Sequence, residues 1–161
     1  MDAIIGLGTN LGEREENLLR ATALIEEQVG AIGAKSKLYE TAPLVPEGSS
    51  AQGVPNYLNA AILVKTELTP EAVLSALLAI ERSLGRDRSQ ETRRWQSRII
   101  DLDLLAYEDL TVALDTLIVP HPELHKRRFV LEPMVEVAPE WLHPLLRKTT
   151  RELLDALVDT P

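Results

Sequence analysis

Two aspartates separated by one residue, Asp101 and Asp103, stand in an apolar segment that directly follows an arginine-rich stretch. Residues 99–106 predict a β-strand, because branched apolar residues dominate a short run. Side chains two positions apart on a strand share a face and lie roughly 6.5–7 Å apart, so both carboxylates point one way while the apolar residues between and beside them point into a core. Two like charges on a mostly apolar strand are costly unless a cation joins them, and a divalent cation is the simplest partner.

The arginines upstream of this strand suit a phosphate ligand. Six of the 17 Lys and Arg residues fall between positions 82 and 98, namely Arg82, Arg86, Arg88, Arg93, Arg94 and Arg98. An arginine fork pairs phosphate oxygens through parallel hydrogen bonds, and magnesium commonly binds one or two carboxylates together with substrate phosphates. Each feature also has an ordinary explanation, since paired aspartates can face water and a charge run is usually a solvated loop. Their adjacency favours a site for a metal-bound nucleotide.

The composition limits the class of protein. A chain of 161 residues with 45% hydrophobic content predicts one domain spanning residues 1–161. The absence of cysteine excludes disulfides, thiolate metal sites and a thiol nucleophile. The net charge of -8 argues against a general nucleic-acid binder, because contacts with a phosphate backbone need a basic surface.

No signal peptide or membrane-length apolar run is recognisable in the sequence. We therefore expect a cytoplasmic protein with neither a membrane nor a nucleic-acid partner. The sequence does not fix the oligomeric state, and a monomer is the expectation.

The hydrophobic pattern predicts alternating strands and helices. Strands are expected at residues 3–8, 34–40, 57–66 and 99–106, and helices at about 15–29 and 70–84, with Gly30 and Gly85 ending the two helices. Thr69 followed by Pro70 and Glu71 marks the start of the second helix, because a cap residue, a first-turn proline and an acid stand in order. The segment 41–56 is rich in proline, glycine and serine and predicts a long loop, a type that is often a functional lid.

The order strand, helix, strand, strand, helix, strand indicates an α+β fold, the ferredoxin-like βαββαβ sandwich, in which an antiparallel sheet carries both helices on one face. Extra C-terminal elements follow. They are an extended, proline-fixed segment at 119–122, a short helix at 127–137 ended by Pro139, and a last helix at 150–158 capped by Thr149 or Thr150.

Six sequence blocks together resemble the family of 6-hydroxymethyl-7,8-dihydropterin pyrophosphokinase, over nearly the whole chain. They are residues 8–12, 39–44, 55–61, 80–86 and 94–103, and residues 119–122 continuing to 127–133. Any one block is weak evidence, but chance does not readily produce six in this order and spacing. The resemblance implies the ferredoxin-like fold. It also implies an ATP-dependent diphosphotransferase of folate biosynthesis, which moves pyrophosphate from ATP to the hydroxymethyl group of a reduced pterin and releases AMP.

The resemblance implies that Asp101 and Asp103 bind magnesium, with two ions about 3.5–4 Å apart bridging phosphate oxygens. Developing charge is then spread over phosphate oxygens, so catalysis consists mostly of positioning and electrostatics. Arg86 and Arg98 are implied as catalytic groups beside the two aspartates. The implied ATP-binding residues are Glu81, Arg88, Arg94, Trp95, Ile100, His121 and Arg127.

A flat bicyclic pterin needs aromatic faces and in-plane hydrogen bonds. The resemblance implies that Tyr57 and Phe129 stack on the ring and that Asn59 reads the ring edge through its paired donor and acceptor. The other implied pterin-binding residues are Asn10, Thr41, Ala42, Pro43 and Leu44. Ordinary alternatives exist: the only Phe in the chain could belong to the core, Glu81 could lie on a solvated helix face, and His121 could be a turn histidine.

The chain departs from the family pattern at three places. Thr9 stands where the family usually has serine, Gln96 and Ser97 replace the Gly-Pro often found between the tryptophan and the arginine, and the arginine loop is longer. Both hydroxyl residues can make the same bond, so Thr9 carries little risk. None of these departures removes an implied catalytic group.

The sequence is also compatible with two other functions. A polymerase-like or nuclease-like domain also places paired aspartates on such a sheet and uses two metals, although the charge of -8 argues against it. A non-catalytic ligand-sensing module could share the fold, because fold does not fix function. Such a module would not need the aspartate pair together with the arginine loop, and ATP turnover distinguishes it from an enzyme.

Overall fold

The computed structural model of the chain describes residues 1–43, 53–87 and 99–157. Its elements are β1 (Asp2–Thr9), α1 (Arg14–Gln28), β2 (Gly30–Lys35), β3 (Tyr39–Thr41), β4 (Tyr57–Thr66), α2 (Pro70–Ser83), β5 (Asp101–Tyr107), β6 (Val112–Ala113), β7 (Ile118–Val119), a 3-10 helix (Leu124–Lys126), α3 (Arg128–Val137) and α4 (Thr150–Asp155). In the described ranges, no helix has both the length and the apolar character needed to cross a membrane.

The main sheet is antiparallel, with strand order β2-β4-β1-β5, and β3 extends its edge by pairing with β4 beside β2. With β2 and β3 taken as one interrupted strand, this order confirms the ferredoxin-like arrangement. The central strand β1 pairs with β4 on one side and with β5 on the other. As a result, Gly8 lies opposite Asn59 on β4 and opposite Asp101 on β5.

The predicted strand at 34–40 is wrong in its bounds. The structure has two strands instead, Gly30–Lys35 and Tyr39–Thr41, and the register shifts between Ile32 and Ala34. Helix α1 ends at Gln28 with Val29 as its C-cap, so Gly30 directly follows the helix as predicted, and it is also the first residue of β2. A Cβ atom at Gly30 would lie 2.0 Å from the carbonyl oxygen of Lys65, so the pairing with β4 requires glycine there. The small residues of β2 show too little apolar alternation to reveal a strand.

The starts of α2 and α4 and the end of α2 follow the sequence signals. The Thr69 side chain accepts a hydrogen bond from the amide of Ala72 at the start of α2. Beyond the end of α2, Gly85 has φ +104, a conformation that favours glycine. At α4 the cap is Thr149, whose side chain forms a capping box with Glu152.

The sheet has two differently covered faces. One face packs against α1 and α2 through a core that includes Ile5, Leu18 and Leu77. This core also contains Ile100, Leu102 and Leu104, which confirms that the apolar residues flanking the two aspartates point inward. On the other face, α3 and α4 contribute to a second core that covers Ile4, Ala61 and Leu105.

His143 lies in the segment before α4 and is only 5% exposed. Its Nδ1 atom accepts hydrogen bonds from the amides of Leu145 and Leu146, both at 3.1 Å. Burial lowers the pKa of His143 below its ordinary value of 6.5, and neighbouring His125 lowers it further. The folded protein therefore favours the neutral imidazole.

This shift predicts a loss of stability in acid. Because the pKa of His143 is lower in the folded state, the unfolded chain binds the proton more readily as the pH falls below 6.5. The contribution of His143 to the free energy of unfolding is therefore present above that pH and is lost as the pH falls through the folded pKa. Urea titrations measure how much the free energy of unfolding falls between pH 7.5 and pH 5.5. This fall should be smaller in His143→Asn than in wild type, because the amide oxygen of Asn can replace Nδ1 as an acceptor and does not titrate. Equal losses in both proteins would contradict this prediction.

Candidate active site

The strand register brings the predicted metal ligands and pterin-binding residues to one face of the sheet. Residues that pair across antiparallel strands point to the same side. One row across the sheet runs from Asp101 through Gly8 and Asn59 to Tyr39. The next row in one direction joins Asp103 to Gly6 and Ala61, and the next in the other direction joins Tyr57 to Thr41.

Gly8 occupies the middle of this face, and sequence reasoning did not assign it a role. A Cβ atom at Gly8 would lie 3.2 Å from Oδ1 of Asn59 and 3.7 Å from Cδ1 of Tyr57. The glycine thus leaves space for both side chains beside the central strand. A glycine inside a buried strand often marks such a close approach, so the glycine within this predicted strand was the sequence feature that could have indicated the role of Gly8.

Two asparagines that are predicted to bind the pterin are buried and hydrogen-bonded. Asn59 is 7% exposed and donates from Nδ2 to Oγ1 of Thr41 at 2.7 Å. Asn10 is 1% exposed and donates from Nδ2 to the carbonyl of Pro55 at 3.2 Å. Their burial limits the orientations that the two amides can adopt.

The remaining described pterin candidates are Ala42, Pro43 and Phe129. Ala42 is exposed and Pro43 half-buried, directly after Thr41 at the end of β3. Phe129 lies in the first turn of α3, is half-buried and belongs to neither core cluster. The alternative that Phe129 is a core residue is therefore wrong. The guanidinium carbon of Arg127 lies 5.6 Å from the centroid of the Phe129 ring.

A buried charge cluster supports the beginning of β5. Nη1 of Arg86 donates to Oε2 of Glu81 at 2.9 Å, to Oδ1 of Asp101 at 2.9 Å and to the carbonyl of Ile100 at 3.1 Å. The same Oε2 atom of Glu81 accepts the amide of Leu102 at 2.8 Å. The side chains of Arg86 and Glu81 are 3% and 2% exposed, whereas that of Asp101 is 24% exposed.

This cluster changes the interpretation of Glu81. Its carboxylate is buried, so the alternative of a solvated helix face is wrong. In this structure Glu81 holds Arg86 and the backbone of β5, and Arg86 in turn holds the carboxylate of Asp101. Direct contacts of Glu81, Arg86 and Ile100 with ATP stay predictions.

The donor set at the start of β5 fits magnesium. Asp101 and Asp103 present hard carboxylate oxygens on one face of the strand, and magnesium typically takes one or two carboxylates and completes its shell with water and phosphate oxygens. Among the described residues, no group of three or more His, Asp and Glu side chains could hold a metal on its own. The pair therefore suits an ion that arrives with a phosphorylated ligand.

His121 lies near the same cluster, after β7. Its backbone amide donates to the carbonyl of Leu105 at 2.9 Å, and its Nδ1 accepts the amide of Glu123 at 3.1 Å. Burial lowers the pKa of His121 below 6.5 and Arg127 lowers it further, whereas Asp101 and Glu123 oppose the shift. At neutral pH the ring is therefore neutral with its hydrogen on Nε2, a donor for an anionic ligand. The turn interaction with Glu123 is compatible with such a role.

Five predicted site residues lie outside the described residues, namely Leu44, Arg88, Arg94, Trp95 and Arg98. The substituted pair Gln96 and Ser97 lies outside them as well. The roles implied for all of these residues stay predictions.

The chain matches known proteins over most of its length. Residues 4–139 match the family model described as 7,8-dihydro-6-hydroxymethylpterin-pyrophosphokinase. A 2-amino-4-hydroxy-6-hydroxymethyldihydropteridine pyrophosphokinase from Methylorubrum extorquens is 39% identical over 156 residues, covering 96% of this chain and 92% of that protein. A Bacillus subtilis protein of the same name is 38% identical over 136 residues, covering 84% of this chain and 77% of that protein.

Solved structures agree with the fold. The crystal structure of wild-type Plasmodium falciparum HPPK-DHPS superposes with a TM-score of 0.72 at 18% identity. The superposition covers 96% of this chain and 44% of that chain. At this identity the likeness shows a shared fold alone.

Proposed function

This chain belongs to the 7,8-dihydro-6-hydroxymethylpterin-pyrophosphokinase family, and from that membership we propose how its site acts in pyrophosphoryl transfer. The reaction is that of an ATP-dependent diphosphotransferase of folate biosynthesis. Pyrophosphate passes from ATP to the hydroxymethyl group of 6-hydroxymethyl-7,8-dihydropterin, giving AMP and the pterin diphosphate. The observation that carries the site assignment is the row joining Asp101, Gly8 and Asn59 on one face of the sheet.

The spacing along the row supports this assignment. Asp101 and Asn59 lie on strands separated by β1, and neighbouring strands are about 4.8 Å apart, so their backbones are about 10 Å apart. A pterin held at Asn59 and stacked on Tyr57 and Phe129 would extend its hydroxymethyl arm along the row toward the aspartates. Binding would thus hold the attacking oxygen close to the phosphates, which is the main source of rate in such transfers.

In the transfer, the hydroxymethyl oxygen attacks the β-phosphorus, the bond from that phosphorus to the α-phosphate oxygen breaks, and the hydroxyl proton is released. Asp101 and Asp103 would hold magnesium, which when bound neutralises charge on the phosphate oxygens. Arg86 keeps the Asp101 carboxylate in place. His121 and Arg127 supply donors toward the phosphates, where preorganised donors stabilise developing charge.

Nucleotide analysis tests this function. We would incubate the protein with ATP, magnesium and 6-hydroxymethyl-7,8-dihydropterin and separate the nucleotides by chromatography. AMP formed only in the presence of the pterin is the expected result. ADP would indicate transfer of a single phosphoryl group, ATP binding without turnover would favour a sensing module, and cleavage of a labelled oligonucleotide would favour a nuclease.

Phe129→Ala should weaken pterin binding by about tenfold, because it removes a stacking face together with its buried area. ATP affinity should change less, although Arg127 lies against the ring. Calorimetric titration with each ligand measures the two effects, and Phe129→Tyr, which keeps the ring, serves as the control. A larger loss of ATP affinity than of pterin affinity would contradict the stacking role.

The proposal also includes two magnesium ions, a monomeric state and a cytoplasmic location, with no nucleic-acid partner. The carboxylate pair supports magnesium, and the charge of -8 supports the absence of a nucleic-acid partner. Sedimentation of the wild-type chain measures the oligomeric state, and magnesium titration in the presence of an inert ATP analogue measures the number of ions.

A further inference from the structure

Side chains from two other elements hold Ile99, the described residue that lies two positions before Asp101. The hydroxyl of Thr9, at the end of β1, donates to the carbonyl of Ile99. Nδ2 of Asn17, the fourth residue of α1, donates to the same carbonyl at 3.3 Å and to the carbonyl of Leu11 at 2.9 Å. It also lies 3.4 Å from the hydroxyl of Thr9. Residues distant in sequence thus meet at one carbonyl group.

This contact lies where the backbone pairing of β5 stops. The register between β1 and β5 runs from Ala3 with Tyr107 to Gly8 with Asp101. The carbonyl groups of the two residues before Asp101 are bound by side chains instead. Arg86 donates to the carbonyl of Ile100, while Thr9 and Asn17 donate to that of Ile99. Thr9 itself is 0% exposed, so its hydroxyl bond is made away from bulk water.

We propose that Thr9 and Asn17 are positioning residues, which fix Ile99 and thereby set the direction in which the Asp101 carboxylate projects toward the magnesium–nucleotide. The proposal rests on the proposed pyrophosphoryl transfer. Ile99 precedes the first residue of β5 by two positions, a distance of at most about 7 Å along an extended chain, so a shift at Ile99 acts directly on the backbone that carries Asp101. Misplacement of a reacting group by about 1 Å can cost about a hundredfold in rate.

Loss of the contacts at Ile99, which anchor the start of β5, is expected to affect the magnesium–nucleotide more than the pterin. None of the described pterin residues lies on β5, and Asn10, which follows Thr9, donates to the carbonyl of Pro55. Loss of the anchor should thus lower kcat and raise the magnesium concentration needed for half-maximal rate. The KM for the pterin should change little.

Matched substitutions test the anchor. Thr9→Val keeps the shape of the side chain and removes the hydroxyl, Thr9→Ser keeps the hydroxyl, and Asn17→Asp replaces the donor with oxygen facing two carbonyls. Thr22→Val is the control, because the hydroxyl of Thr22 donates to the carbonyl of Leu18 at 2.8 Å, a bond within α1 itself. Melting temperatures of all four variants report any general loss of stability.

We expect Thr9→Val and Asn17→Asp to lower kcat by about 10- to 100-fold, with a several-fold higher half-saturating magnesium concentration and a pterin KM within about twofold of wild type. Thr9→Ser should stay within about threefold of wild-type kcat, and Thr22→Val within about twofold. Wild-type kcat in Thr9→Val would overturn the proposal. An equal fall in Thr22→Val would also overturn it, because the loss would then follow the stability of α1.

Amide hydrogen exchange provides a measurement that does not depend on turnover. The amide of Leu102 donates to Glu81 at the start of β5, and its exchange in the ligand-free protein should be about tenfold faster in Thr9→Val than in wild type or Thr22→Val. Unchanged exchange would overturn the anchor. If the wild type forms no AMP, the proposed function fails, whereas the exchange result still decides whether Thr9 holds β5.

Discussion

Asp103→Asn is expected to lower turnover by about a thousandfold while the protein stays folded and binds the pterin. The substitution keeps the shape of the side chain and removes its charge. Asp103 lies two residues after Asp101 on β5, in the row with Gly6 and Ala61, so it projects from the same face as the first carboxylate. A metal ion contributes several kcal/mol of charge stabilisation in the transition state, and each 1.4 kcal/mol corresponds to a factor of ten.

Three measurements define this prediction: the rate of AMP formation over a range of magnesium concentrations, the melting temperature, and pterin affinity by calorimetry. Pterin affinity should be retained, because Tyr57 and Asn59 lie on β4 and not on β5. Asp109→Asn is the matched control, since Asp109 is exposed and lies beyond the end of β5. Turnover at the wild-type level in excess magnesium would contradict the role of Asp103 as a metal ligand.

Glu81→Ala is expected to lower the free energy of unfolding by about 3 kcal/mol, the lower end of the range for removing one partner of a buried ion pair, because Arg86 keeps its contact with Asp101. Arg86 is 3% exposed and would keep its charge in a buried site, while the amide of Leu102 would lose its acceptor. Glu81→Gln should cost less, because the amide oxygen can still accept both hydrogen bonds. Urea denaturation of the three proteins measures the effect.

Asp2→Ala is the control for Glu81, because Asp2 pairs with Lys65 at the surface, where the two side chains are 42% and 57% exposed. Exposed pairs contribute roughly 0–1 kcal/mol, so this variant should stay close to wild type. If Glu81→Ala also costs less than about 1 kcal/mol, then Arg86 finds other partners and the cluster does not support β5. The stability measurement needs no substrate and is independent of the proposed reaction.

The sequence alone determined the elements whose patterns are local. Alternation along β5 placed Ile100, Leu102 and Leu104 in the core and both aspartates on the opposite face, and the structure confirms the three core positions. The start of α2 followed from Thr69 and Pro70 because capping depends on residues adjacent in the chain. The element order was enough to predict the ferredoxin-like fold. The family followed from six short blocks that need no three-dimensional information.

Other features were decided by tertiary structure. The bounds of β2 depend on pairing with β4, and the need for glycine at position 30 comes from the carbonyl of Lys65, far away in the chain. The burial of Glu81 depends on how α2 packs against β5. The sequence around an acidic residue near a helix end does not show whether its side chain faces solvent or is buried in an ion pair.

In the candidate site, too, the sequence determined some features and only the tertiary structure decided others. The sequence indicated which residues carry carboxylate, amide and aromatic groups, and strand alternation indicated the face on which each aspartate lies. Only the register across β4, β1 and β5 placed Asn59 and Asp101 on either side of Gly8. Only the folded chain brought Thr9 to the carbonyl of Ile99, 90 residues away. Alternation with a period of two residues fixes the face on which a side chain lies, whereas its neighbour across the sheet is fixed by hydrogen bonds and packing between distant segments.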